Sequence, residues 1–196
     1  MVRLLPRKKR SEDQRSMSQS MSQPVPQPLP HHIHLVGAGG IMMSGIGEIL
    51  LARGHTVTGS DLESSRYTER LREHGATIHR GHAAANLGHP DLVVATAAAS
   101  EDNPELQIAR ERGIAVIARA EMVQRLIAER QLLAVAGTHG KTTTTALLAL
   151  MAVRGGLDPL VLVGGDARDL GGNARDGDGD FAVIEAVVFS LDQVSR

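Results

Sequence analysis

The chain has 196 residues, 42% of them hydrophobic and 22% charged, which is an ordinary globular balance with room for one large domain or two small ones. A net charge of −1 gives no field to attract nucleic acid or an anionic membrane, and three aromatic side chains, Tyr67, Phe181 and Phe189, leave no stacking platform for bases. The absence of cysteine excludes disulfides, thiolate metal sites and Cys nucleophiles.

Residues 1–30 carry a basic cluster, Arg7 to Arg10, and then a Ser/Gln/Met/Pro stretch, and are expected to form a disordered tail. Six Lys/Arg and two Asp/Glu give this tail +4, leaving −5 for residues 31–196. No apolar run approaches the roughly 18 residues of a membrane span, and no signal-peptide core opens the chain, so a cytoplasmic location is expected.

From His31 short apolar runs alternate with helical patterns, the rhythm of a parallel α/β sheet. Ile33–Val36 reads as the first strand. It runs into Gly37-Ala38-Gly39-Gly40 and a helix through about Ala52. This turn is like a dinucleotide fingerprint, in which one glycine makes the turn and the next admits a pyrophosphate. Met42 occupies the third glycine position, where a bulky side chain is expected to push helix from strand. His55–Thr58 reads as the second strand. Asp61 just beyond it has two open roles, a ribose hydroxyl acceptor or part of a Ser60-x-x-Glu63 capping box. A helix over 64–74, strands at Ala76–His79, Leu92–Ala95 and Ala115–Ile117, and helices near 104–112 and 120–129 complete a five-stranded unit. Of the histidines at 31, 32 and 34, His32 and His34 fall on one strand face with no carboxylate or third ligand nearby in sequence, so a solvent-exposed or structural role is expected rather than a metal site.

A second unit, 131–196, opens with the strand Leu132–Ala136, then Gly137-Thr138-His139-Gly140-Lys141-Thr142-Thr143 at the start of a helix over Thr142–Val153. Loop amides at a helix N-terminus attract phosphate, Lys141 adds a full charge, and the Thr142 hydroxyl suits Mg²⁺. Val135 stands where the first glycine of the common phosphate loop would fall, so the loop is a shorter variant. A bound Mg²⁺·ATP needs a further oxygen ligand. Glu185, at the end of the apolar strand Phe181–Ala186, qualifies. Leu160–Val163 supplies another strand, and residues 166–180 read as an irregular polar loop. The fold class expected is α/β: a Rossmann-like parallel-sheet domain over 31–130, then an incomplete P-loop-type α/β domain.

The stretch His32 to Ile46, Gly59-Ser60-Asp61, Asp102 to Glu105, Arg119 to Met122 and Ala136 to Thr145, in this order, resembles the Mur ligases. The resemblance runs from about His32 to Ala186. It implies an ATP- and Mg²⁺-dependent ligase of peptidoglycan precursor synthesis that joins L-alanine to UDP-N-acetylmuramate through an acyl phosphate. By that resemblance Gly37, Gly39 and Gly40 cradle the UDP pyrophosphate, with Asp61, His82, Thr96 and Asn103 as further substrate-side residues. Gly137 to Thr143 bind ATP, Lys141 stabilises phosphate charge as the catalytic residue, and Thr142 and Glu185 hold the metal.

The departures from the family pattern are Met42 for a glycine, Ala97 where a small hydroxyl is usual, and Val187 and Val188 where carboxylates are expected. Beyond Ala186 the resemblance ends, so the chain is expected to lack the rest of the ligase and to be inactive alone. Two other classes remain as alternatives: a non-catalytic module for UDP-sugar or ATP, and a nicotinamide-dependent oxidoreductase.

Overall fold

A computed structural model describes residues 28–185. Most of the expected tail, residues 1–27, and the stretch from Ala186 on lie outside the described residues. Residues 28–30 join the folded part: Leu29 packs on the core and the Pro30 carbonyl is 2.9 Å from His55 Nδ1.

The first sheet is built from β1 (His32–Val36), β2 (Thr56–Asp61), β3 (Thr77–Arg80), β4 (Leu92–Ala95) and β5 (Ala115–Ala118). All its pairings are parallel and the order is β3-β2-β1-β4-β5. Strand order therefore reverses between β1 and β4, the switch point where doubly wound sheets open a crevice at their carboxyl ends. The connecting helices are α1 (Ile41–Ala52), α2 (Arg66–Glu73), α3 (Pro104–Glu111) and α4 (Arg119–Ile127), with a 3₁₀ turn at Ala84–Leu87. The second sheet contains β6 (Gln131–Val135), β7 (Leu160–Ala167), β8 (Gly172–Arg175) and β9 (Phe181–Glu185), ordered β6-β9-β7-β8, with α5 (Lys141–Arg154) against it.

Three expectations are corrected. The polar run 166–180 is not irregular throughout: a 3₁₀ turn at Arg168–Leu170 reverses the chain, and β8 pairs antiparallel with β7. The second strand extends through Gly59, Ser60 and Asp61, because these residues continue the ladder with Val36 and β3. The capping box is not at Ser60–Glu63. It is formed at Ser65 and Thr68, whose side chains and amides bond reciprocally at the start of α2.

Period-two alternation sorts β1 onto two faces. Ile33 and Leu35 face α1, whereas Val36 joins Leu87, Val93, Leu106 and Ala109 on the side of α3. Helix α1 packs on the first sheet and also on β7 and β8, so Leu160, Leu162, Ala182 and Ile184 share one buried cluster with Ile33, Leu35, Met43 and Ile46. The other face of the second sheet packs Val161, Val163 and Val183 on Ala149 and Ala152 of α5.

Met42 is 4% exposed and packs within this cluster. Close approach is supplied one turn later. A Cβ on Gly47 would lie 2.8 Å from Leu71 Cδ2 and 3.1 Å from Leu35 Cδ1, and one on Gly45 would lie 2.5 Å from Leu162 Cδ1. Among the described residues no helix is long and apolar enough to cross a membrane.

Candidate functional site

Two glycine loops stand at the carboxyl ends of the two sheets. The first leaves β1 with Gly37 at φ +83°, a conformation that a side chain would strain, and an added Cβ would press to 2.6 Å from Thr96 Cγ2. The Gly37 and Ala38 amides donate to the Ser60 carbonyl, both at 2.9 Å, which fixes the loop to the end of β2. Asp61 Oδ2 accepts from the Gly39 amide at 2.8 Å. Its carboxylate thus orders the loop itself, a use of Asp61 that neither sequence role included. Gly40, the N-cap of α1, contributes no side-chain cap and the first turn holds no acidic residue, so this helix N-terminus stays open to an anion.

Beside this loop a cavity of about 240 Å³ is lined by Val36, Gly37, Gly40, Asp61, Leu62, His82, Thr96, Ala98 and Ala99. It therefore gathers five of the seven substrate-side residues named from sequence. Gly39 lies behind, bonded to Asp61, and Asn103 caps α3, its Oδ1 accepting from the Glu105 and Leu106 amides at 2.9 and 3.4 Å.

Sequence reasoning missed the polar network behind the cavity. Glu105, fully buried in the first turn of α3, accepts from the Ser60 hydroxyl, from Asn86 Nδ2 at 3.0 Å and from the Ala83 amide at 3.4 Å. His82 Nδ1 lies 2.8 Å from Ser60 Oγ and 3.3 Å from Glu105 Oε2. His34, also fully buried, stands with Nε2 3.6 Å from the same oxygen, within ion-pair reach but without a hydrogen bond. Burial pushes the Glu105 carboxyl up, but the nearby His34 imidazole and the hydrogen bonds from Ser60 and Asn86 outweigh it and hold it at about 2. The remaining histidines of the cluster are structural: His32 and His34 both bond Thr58 Oγ1, at 2.9 and 2.8 Å. The signal available in sequence was Glu105 itself, within the Asp102-Asn103-Pro104-Glu105 motif.

The second loop runs from β6 into α5. Residues 137–140 are exposed, Gly140 is the left-handed N-cap at φ +72°, and no side chain caps the helix. Lys141 Nζ folds back to donate to the Gly137 carbonyl at 2.8 Å and the Thr138 carbonyl at 3.4 Å, holding its charge over the loop. His139 and Thr143 are exposed on the same rim.

The parallel register sets Val135 beside Glu185, which brings that strand end to the loop. Thr142 Oγ1 donates to Glu185 Oε1 at 3.0 Å, and Glu185 Oε2 accepts from the Gly164 amide at 2.9 Å. Gly164 and Gly165 on β7 make the room: a Cβ on either would come within 2.6 Å of Glu185 Oε2 or Thr142 Cγ2. These glycines were also missed, although a Gly-Gly pair after Leu160–Val163 marks a close approach. Two hard oxygen donors side by side fit Mg²⁺, which takes few protein ligands and keeps several waters.

Comparison with known proteins adds the following. Residues 32–131 match the model of the Mur ligase family, catalytic domain. A UDP-N-acetylmuramate–L-alanine ligase of Salinibacter ruber is 54% identical over 155 residues, 79% of this chain and 33% of that relative. Among solved structures, a UDP-N-acetylmuramate-alanine ligase of Thermotoga maritima superposes with a TM-score of 0.73 at 36% identity, covering 79% of this chain and 36% of the other. A murein peptide ligase of Psychrobacter arcticus gives 0.74 at 30% identity, covering 80% and 37%. The chain spans about a third of the length of the curated relatives it matches.

Proposed function

The chain belongs to the Mur ligase family, and from that premise we propose that it supplies the UDP-sugar pocket and the phosphate loop of a cytoplasmic ligase joining L-alanine to UDP-N-acetylmuramate at the expense of ATP. The first cavity takes the UDP diphosphate at the N-terminus of α1, with Gly37, Gly40, Asp61, His82 and Thr96 around it. Gly39 and Asn103 support it from behind. The second loop takes the ATP phosphates on its backbone amides and Lys141. Thr142 and Glu185 hold Mg²⁺, whose chemistry there is to neutralise charge on the phosphate oxygens.

Such a site works by electrostatic preorganisation. The donors are in place before charge develops on the transferring phosphoryl group, so little reorganisation is needed when the lactyl carboxylate is activated for attack by the amine. The observation that carries this reading is the Thr142–Glu185 pair at 3.0 Å beside an uncapped helix N-terminus and Lys141, on one chain with a separate diphosphate-sized cavity. A nicotinamide enzyme has no use for the second loop.

Calorimetric titration of the chain with UDP-N-acetylmuramate, with ATP and Mg²⁺, and with NAD(H) tests it. The first two are expected to bind. Lys141→Ala is expected to weaken ATP binding about tenfold or more, since a charge-assisted bond contributes about 1.5–3 kcal/mol, and to leave the UDP-sugar affinity unchanged. Tight NAD(H) binding with no response to the other two ligands would overturn the reading.

A further inference from the structure

The network behind the first cavity specifies where a proton sits. An ionised Glu105 can only accept, and the single Ser60 hydroxyl hydrogen is committed to Glu105 Oε2. Ser60 Oγ can then meet His82 Nδ1 at 2.8 Å only as an acceptor, so Nδ1 carries a hydrogen. The longer 3.3 Å approach of Nδ1 to Glu105 Oε2 requires the same. The opposite ring atom, Nε2, has no partner among the described residues, and the ring lines the cavity with its side chain 18% exposed.

We propose that Ser60 and Glu105 are positioning residues that hold His82 with Nδ1 protonated, so that Nε2 takes up a solvent proton when the diphosphate of a nucleotide sugar enters the cavity and then donates to it. The inference rests on the UDP-sugar reading of this cavity and deepens it. On entry the Nε2–H bond forms at the expense of a solvent proton, and the imidazolium lies between two anions, Glu105 behind and the diphosphate in front. The other groups around the ring are Asp61 on β2, which shares the cavity, and His34 on β1, which reaches Glu105 from the far side. Asp61 is bonded to the Gly39 amide. A neutral Asn or Gln at position 82 could fill the space but could not gain charge on binding.

The test is calorimetry of UDP-N-acetylmuramate binding to the full chain in buffers of different ionisation heat, because this ligand's diphosphate diester has no group of its own titrating near neutrality. An ordinary imidazole is mostly neutral above about pH 7. Proton uptake on binding is therefore expected to pass through a maximum between roughly pH 6 and 9, with affinity falling as the pH rises through that maximum. Uptake should vanish in His82→Gln. In Glu105→Gln it should move to lower pH, because the charge supporting the imidazolium is gone while the amide oxygen still accepts from Ser60. The proton count on the unaltered chain decides the matter even if Glu105→Gln fails to fold. Binding without uptake, or uptake that persists in His82→Gln, overturns the inference and leaves the UDP-sugar reading standing; no binding at all overturns that reading and the inference with it.

Discussion

Glu105 has no exposed surface, yet its carboxyl is held near 2, below the usual carboxylate range, because the bonds it accepts outweigh the cost of burial. Its folded value lies below its unfolded one. The stabilisation is therefore complete above about pH 5 and is lost as the pH falls toward 2, where the folded carboxyl also protonates. The difference corresponds to at most about 3 kcal/mol. Urea midpoints measured from pH 7 down to pH 3 are expected to fall in the parent chain and to fall less in Glu105→Gln, which has no proton to gain there. Equal acid sensitivity of the two would show that the bonds around Glu105 do not carry the shift. The sequence displays this residue only as the second helical position after the Asn103 cap, where a Glu is expected for its interaction with the helix dipole. Its real partners, Ser60 on β2, His82 in the loop after β3 and Asn86 in the 3₁₀ turn, are distant in sequence and meet it only after the sheet has formed. By contrast, the meeting of Thr142 and Glu185 beside the Lys141 loop was legible, because loop, helix start and strand end are each local patterns and a parallel sheet brings strand ends together.

Helix α1 shows what element-level patterns reveal and what they hide. Its position after a strand and a glycine turn was plain, but its burial on both sides was not, because no amphipathic stripe marks a helix covered by two sheets. Met42, Met43, Ile46, Ile49 and Leu50 are all buried, Gly45 lies close against Leu162 of β7 and Asn173 of β8, and Gly47 against Leu71 of α2 and Leu35 of β1. Gly45→Leu is expected to destabilise the chain by about 1–3 kcal/mol through overpacking against Leu162 and Asn173. Gly45→Ala is the sharper case: helix propensity alone favours it by about 1 kcal/mol, so any loss of stability in urea measures the crowding directly. Unchanged or raised stability in both would mean that the second sheet yields freely to α1. Strand β8 was hidden for a related reason. Gly172-Asn173-Ala174-Arg175 has little strand propensity, and its pairing depends on β7 and on Asn173 Nδ2 donating to the Ile41 carbonyl in the first turn of α1.

At the scale of the whole molecule the five strands of the first sheet followed from the βα rhythm, whereas their order and the contact between sheets did not. Its determinants are distant pairs: Arg53 at the end of α1 grips Asp176 through two bonds of 2.9 Å, and Arg70 on α2 reaches the Gly171 carbonyl at 2.9 Å. Of the two strands of the second sheet that α1 packs on, β7 is also the one whose Gly164 amide orients Glu185 beside the second glycine loop. One rigid helix therefore has its open N-terminus in the first cavity and its flank on a wall of the second site. On the proposed reading, a ligand that tightens α1 against β7 is expected to shift the second site's equilibrium, and thermodynamic linkage requires the effect to be equal in both directions. Saturating UDP-N-acetylmuramate is expected to change the affinity for ATP with Mg²⁺ by about fivefold or more, and ATP to change the sugar nucleotide's affinity by the same factor. Gly45→Leu should reduce that factor, and two affinities that remain independent would show the sites to be uncoupled. On the proposed reading, the sandwiched helix ties the grip of each loop to the occupancy of the other, so that a nucleotide held at one end of the fold is felt at the far end through packing alone.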